Sequence, residues 1–498
     1  MSIMTQTGGH PEGPAQKRGD QQVQISRLDR FFQITERGST KAREIRGGFV
    51  TFFTMAYIVI LNPLILGGFS ADTAPLDVEG NWLQAVQIGA VTGLTAGVMT
   101  IIFGLVANLP FGIAAGLGIN SFLAVSVVGD VTWAEAMGLV VINGLLIVFL
   151  AVTGARTAIF NAVPRQLKAA ITVGIGLFIA FIGFVDSGFV TATEGGPPVQ
   201  MGDGGSITTV PTVVFIVGLI TMGILMARRV QGGLLIGIVV TTIIAIIIEM
   251  VLKLGAGGPD NPTGWHLNAP VVPSNIVSIP DFSLLGAFSF GAFDRIGVLA
   301  ATMLVFTLVF TNFFDAMGTM TGLAKQAGLT NKQGNFPRLK SALIIEGVGA
   351  VAGGASSGSS NTVFIDSASG IGEGARTGLA SVVTGALFLA AMFFTPLTSV
   401  VPLEVAAAAL VVVGAMMVAQ IREINFRNFS VALPAFLTIV TMPLTYSIAN
   451  GIGAGFITWV LIRAGSGKAK KIHPLLWVVA AGFLVYFARG PITLWMGG

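Results

Sequence analysis

The chain alternates long apolar runs with short polar links. A helix crossing a bilayer core needs about 20 predominantly apolar residues. Segments that qualify fall near 47–66, 84–107, 135–154, 167–185, 211–227, 232–252, 296–318, 376–400, 404–420 and 431–447. Shorter ones, broken by Gly and Ser, fall near 111–128, 341–354, 361–373 and 449–463. The pattern predicts an all-α polytopic membrane protein of about 14 transmembrane segments. A further apolar stretch at 474–488 either spans the bilayer or lies on its surface.

The basic residues test this count, because cytoplasmic loops collect Lys and Arg. With the N-terminus inside, all of the 27 Lys and Arg except Lys253, Arg295 and Arg489 fall on one side. Arg156 is among the residues this assigns to an inner loop. The opposite loops hold Asp72, Asp77, Glu79, Asp130, Asp186, Glu194 and Asp203. The expected location is the plasma membrane, with residues 1–46 as a polar cytoplasmic tail. That tail has no apolar stretch of signal-peptide type.

The pattern also repeats. Segments 6 and 7, like 13 and 14, are joined by very short links. Segments 3 and 10 are both short and interrupted by small residues. Seven segments of one polarity followed by seven of the other make a 7+7 inverted repeat. In such repeats, paired broken segments mark a transporter's central site.

Composition narrows the chemistry. The chain is 53% hydrophobic and 10% charged, against about 25% charged in soluble proteins. It has 66 Gly, which suits closely packed membrane helices. It has no Cys, which excludes disulfides and thiolate metal sites. Its histidines, His10, His266 and His473, lie in polar or boundary sequence, so none is expected to relay protons within the membrane. The Gly-rich runs at 353–360 and 465–468 lack the phosphate-binding Gly-Lys-Ser/Thr ending, so no ATP site is expected. Neither an enzyme nor a nucleic-acid binder is expected.

Ionisable groups within membrane segments are costly and mark function. Glu249 and Glu404 sit near segment ends, where an interfacial role suffices, and Glu346 lies between these cases. Asp315 follows Asn312 by three residues, so on a helix the two share a face among Phe side chains. They suit a planar heterocycle or, alternatively, a polar contact between helices. Asp366 ends the alternation Thr362, Phe364, Asp366, which reads as a short extended piece in segment 10. Gly116–Phe122 is its counterpart in segment 3, with Asn120 opposite Asp366. Extended backbone at membrane depth is tolerated where it lines a cavity. The alternative is a Ser- and Gly-rich helix whose acid is satisfied by a neighbour.

Several motifs carry a resemblance over most of residues 28–490. They are Arg30-Phe-Phe-Gln-Ile34, Gly38-Ser-Thr-Lys-Ala-Arg-Glu-Ile-Arg-Gly-Gly48, Phe53-Thr-Met-Ala-Tyr-Ile-Val-Ile-Leu-Asn-Pro63, Gly116-Leu-Gly-Ile-Asn120, Phe314-Asp-Ala-Met-Gly-Thr319, Glu373-Gly-Ala-Arg-Thr-Gly-Leu379 and Met442-Pro-Leu-Thr-Tyr-Ser-Ile-Ala-Asn-Gly-Ile452. Together they resemble the nucleobase–cation symporter 2 superfamily, in its AzgA-like adenine/guanine/hypoxanthine branch. The resemblance implies a core domain (47–154 and 296–400) and a gate domain (155–253 and 401–464). The loop 254–295 separates the halves, and 465–498 ends the chain. It implies proton-coupled purine import, often by a homodimer, with no cofactor beyond the coupling proton.

By motif position, the resemblance assigns substrate binding to Asn120, Asn312, Phe364 and Asp366. Phe122 is a second candidate for stacking on the base. Asp315 and Asp366 are the candidates for proton coupling. Two positions depart from the usual pattern: Asn312 stands where Asp is common, and Asp366 where Glu is common. Both bear on which base is taken and on the proton count. The alternatives are a transporter of the same fold for uracil, xanthine or a small anion, or a channel.

Overall fold

A computed structural model describes residues 26–69, 71, 74–156, 162–193, 198–258, 261–331 and 336–488. Of the residues assigned above, most of the tail (1–25), Asp72, Glu194, Lys332, Arg489 and the end of the chain (489–498) lie outside the described residues.

The apolar runs fold as helices. The first half contains α1 (Arg27–Phe32), α2 (Lys41–Met55), α3 (Ile58–Leu66), α4 (Ala85–Val106), α5 (Leu117–Phe122) and α6 (Trp133–Thr153). It continues with α7 (Arg165–Asp186), α8 (Val210–Ala227) and α9 (Gly233–Leu252). The second half contains α10 (Gly297–Gln326), α11 (Leu339–Ala355), α12 (Ser367–Gly372) and α13 (Gly378–Ala391). It ends with α14 (Leu403–Val418), α15 (Phe429–Leu444), α16 (Ile448–Arg463) and α17 (Pro474–Phe487). Among the described residues, ten helical stretches are long and apolar enough to cross a membrane. Leu117–Val127, Phe429–Leu444 and Pro474–Phe487 are apolar but shorter. The chain is a multi-pass membrane protein.

Among the described residues, four short strands interrupt the helices. Strand β1 (Ile113–Ala115) precedes α5 and β4 (Asn361–Val363) precedes α12, while β2 (Val190–Ala192) and β3 (Val199–Met201) form a hairpin in the loop after α7. β1 and β4 pair antiparallel, with Ile113 opposite Val363, Ala114 opposite Thr362 and Ala115 opposite Asn361. The hydrogen bonds run on at both ends, from the Gly116 N–H to the Ser360 carbonyl (2.9 Å) and from the Phe364 N–H to the Gly112 carbonyl (3.0 Å). Two unwound segments therefore satisfy each other's backbone, the condition for such a break at membrane depth.

The helices pack in a regular scheme. α4 lies against α13, α6 against α11, and α2 against α12 and α13. Separately, α7 lies against α14 and α15, α8 against α9 and α14, and α15 against α16. Glycine sets the closest crossings. A Cβ on Gly176 of α7 meets the Gly414 carbonyl of α14, and one on Gly414 meets the Gly176 carbonyl. Gly97 of α4 and Gly385 of α13 oppose each other in the same way. Small residues at such crossings let backbones approach where no hydrophobic drive separates helix from lipid.

The loop between α9 and α10 is anchored to helix ends. The Trp265 indole N–H donates to Glu249 Oε2 (2.8 Å), and Glu249 also accepts the N–H groups of Leu254 and Gly255. The His266 backbone N–H donates to Glu404 Oε1 (3.1 Å), and its Nδ1 lies 2.7 Å from the same oxygen. The hydrogen bond to Glu404 favours the charged imidazole and raises the His266 pKa above its ordinary value. Both glutamates thus tie a loop to a helix end. The sequence shows His266 only as a boundary residue, because the carboxylate that engages it lies 138 positions away.

Candidate functional site

The β1–β4 crossing opens onto a cavity of about 180 Å³. On one side are Tyr57 from the kink between α2 and α3, Gly116–Ile119 at the start of α5, Thr362–Asp366 at the end of β4, and Thr311, Asp315 and Thr319 from α10. The other wall is α7 with α14 and the turn that follows it, which present Ile175, Ile179, Val413 and Met417, with Thr172 and Gln420 as its polar positions. Gly116 caps α5, so the unpaired first N–H groups of that short helix stand at the cavity wall.

Asp315 and Asp366 are half-buried carboxylates that line this cavity. The Tyr57 hydroxyl donates to Asp366 Oδ2 (3.2 Å), and the Thr54 hydroxyl donates to the Asp366 carbonyl (3.3 Å). The Tyr57 ring centre lies 6.4 Å from that of Phe364, at a 51° tilt. Asp315 makes no hydrogen bond to another described residue. Among the described residues, no Lys or Arg lines the cavity. Two acceptors beside aromatic faces, in a space below the roughly 300 Å³ of drug-sized pockets, suit a small, flat, uncharged solute carrying N–H groups.

Of the residues singled out by sequence, Asp315, Phe364 and Asp366 come together here. Asn120, Phe122 and Asn312 are buried and do not line the cavity. The Asn120 amide donates to Asn62 Oδ1. Asn62 in turn donates to the Thr92 hydroxyl (2.7 Å) and the Gly358 carbonyl (3.1 Å). The Asn312 amide donates to the Ser360 hydroxyl (2.9 Å). Both amides therefore brace the loops that carry the strands. Sequence reasoning passed over Tyr57, Thr172 and Gln420. Tyr57 had a signal: it is one of three tyrosines, set within an apolar run, and a buried phenol needs a partner.

Arg156 is the clearest departure from the sequence reading. It lies in the link between α6 and α7 yet is fully buried rather than facing solvent, and its guanidinium lies 2.6 Å from Glu346 Oε2. A buried carboxylate on one helix draws a cation from the end of another.

Comparison with known proteins agrees with this architecture. A family described as "Permease family" matches residues 42–454. A guanine/hypoxanthine permease of Bacillus subtilis is 39% identical over 92% of this chain and 98% of its own length. An adenine permease of Escherichia coli is 34% identical over 92% of this chain and 95% of its own. Among solved structures, the transmembrane domain of a cyanobacterial bicarbonate transporter superposes with a TM-score of 0.56 at 17% identity. That alignment covers 82% of this chain and 96% of that one, a likeness of fold alone.

Proposed function

Because the chain belongs to the nucleobase–cation symporter 2 family of permeases, and is a transporter rather than an enzyme, we propose that it imports purine nucleobases across the plasma membrane, coupled to protons. Adenine, guanine and hypoxanthine are the candidates, since the named relatives are permeases for these bases. In this reading Asp366 accepts N–H groups from the base edge, Phe364 and Tyr57 flank its ring, and Asp315 takes the coupling proton. Asn120, Phe122 and Asn312 shape the cavity from behind.

The observation that carries the reading is the cavity at the β1–β4 crossing, with two carboxylates beside aromatic rings and no cation among its described lining residues. A carrier of small anions needs positive charge there, so this lining favours a neutral base even though the fold is shared with a bicarbonate transporter.

We further propose 14 segments in a 7+7 inverted repeat, with the N-terminus in the cytoplasm and a homodimeric assembly. The packing scheme supports the repeat: exchanging the halves turns the α4–α13 contact into the α6–α11 contact, and α8–α9 into α15–α16. It also supports a core (α2–α6 with α10–α13) distinct from a gate (α7–α9 with α14–α16). Motion of the core against the gate then alternates access to the cavity between them.

Uptake of radiolabelled adenine, guanine, hypoxanthine, xanthine and uracil, in cells lacking their own carriers and with or without a protonophore, tests the function. Saturable purine uptake abolished by the protonophore is the expected result. Uptake of uracil or xanthine alone points to the same-fold alternative, and non-saturating flux points to a channel.

A further inference from the structure

A second cavity lies beyond the first. Ser126, Asp130, Leu304, Tyr446 and Asn450 are among its lining residues. Along α10, Leu304 lines this cavity and Thr311, seven residues on, lines the central one, a rise of about 10 Å. The central cavity reaches Thr319 and Gln420, near Lys325 and Arg422 at the basic ends of the helices. It therefore faces the cytoplasm in the topology proposed above, and the second cavity faces out. Tyr446 stands between the two. Its ring lies edge-on to those of Phe178 (5.7 Å, 73°) and Phe181 (5.8 Å, 76°) on α7. Phe178 is fully buried, and Ile175 and Ile179 on either side of it line the central cavity.

Two further observations single out Tyr446. It lies in the link from α15 to α16, and the Ser126 hydroxyl donates to its carbonyl (2.9 Å), a direct bond from core to gate. Ser126 itself lies in a π turn, Leu123–Val127, that follows α5, an irregularity that recurs at functional sites. Tyr446 is also left-handed, at a φ of 52°. Its N–H donates to the Pro443 carbonyl (3.3 Å) and the Ser447 N–H to the Met442 carbonyl (3.0 Å), the helix ending that Gly ordinarily makes. A tyrosine there carries backbone strain and sets a ring where glycine would leave an opening. We propose that Tyr446 is the outer gate of the transport path, closed in this structure by its ring against α7 and latched to the core by Ser126. Movement of the core toward the outward-open state breaks the Ser126 bond and frees the path past the ring. This inference rests on the core-and-gate reading above.

The chain has no Cys, so a single introduced thiol reports access. Ile365 lines the central cavity and is 48% exposed, and Ala300 lines the outer one. The full chain carrying Ile365→Cys or Ala300→Cys is treated with a membrane-impermeant maleimide from outside the cell, with no base and no pH gradient. Ala300→Cys should label fast and Ile365→Cys slowly. Adding Tyr446→Gly, which relieves the strain and removes the ring, should speed labelling of Ile365→Cys roughly ten-fold or more. Adding Tyr446→Phe, which keeps the ring, should leave it slow. Ser126→Ala removes only the latch and should speed it about five-fold, the worth of one hydrogen bond. If Y446G is not recovered folded, S126A carries the test. Unchanged labelling in the variant that carries the test overturns the proposal. Equal speeding by Y446F, fast labelling of Ile365→Cys with Tyr446 in place, or an unlabelled Ala300→Cys does so as well. Labelling needs neither base nor proton, so the two readings fail separately. Loss of the gate beside normal purine uptake removes this inference alone, and absent uptake beside the expected labelling removes the purine reading alone.

Discussion

Tyr57 donates its phenolic hydrogen to Asp366 Oδ2 across 3.2 Å, tying the kink between α2 and α3 to the break between β4 and α12. The bond holds one carboxylate oxygen in place and leaves the other for a solute. Tyr57→Phe keeps the ring and removes the bond. A hydrogen bond to a charged group contributes about 1.5–3 kcal/mol. The expected effect is a rise in the apparent KM for purine of roughly ten-fold or more, with unchanged expression, read from uptake kinetics.

Asn62 holds three elements together through Asn120, Thr92 and the Gly358 carbonyl. Asn62→Leu leaves buried polar groups without partners, at a cost of about 1–3 kcal/mol for each group orphaned. The melting temperature in detergent should fall clearly. An unchanged melting curve contradicts the bracing role assigned to this chain of amides.

The Gly176–Gly414 crossing leaves no room for a side chain. Gly176→Val overpacks it, at about 1–3 kcal/mol or more, and separates α7 from α14 along the wall of the cavity. Size-exclusion chromatography of a fluorescent fusion should show less folded protein than Gly223→Ala, a position with open space around it.

How much of this was legible in the sequence differs from residue to residue. The breaks at Gly116 and around Thr362–Asp366 were readable because alternation and small residues cannot make a continuous apolar helix. The membrane helices were readable from length and apolarity. The partners of Asn120 and Asn312 were not, because periodicity assigns a residue to a face but not to the neighbour that face meets. Arg156 shows the same limit. Its place in the link between two apolar segments says nothing of burial, and only the fold brings Glu346 to it across 190 positions.

His266 gives a pH dependence outside the membrane segments. Its pKa is raised by Glu404, so its contribution to holding the loop is fully present below its ordinary value of 6.5 and is lost as pH rises through the raised value. Hydrogen exchange around residues 261–269 should speed up on passing from acidic to alkaline pH, after correction for intrinsic rates. In His266→Gln that additional pH dependence should vanish.

The central claim is that a purine base sits at the β1–β4 crossing against Asp366. Equilibrium binding of radiolabelled adenine, guanine and hypoxanthine to purified protein, compared with Asp366→Asn, tests it most directly. The account predicts saturable binding of at least one base, weakened roughly ten-fold or more in the variant, with the melting temperature little changed. Equal binding by the two proteins would contradict it and place the base elsewhere.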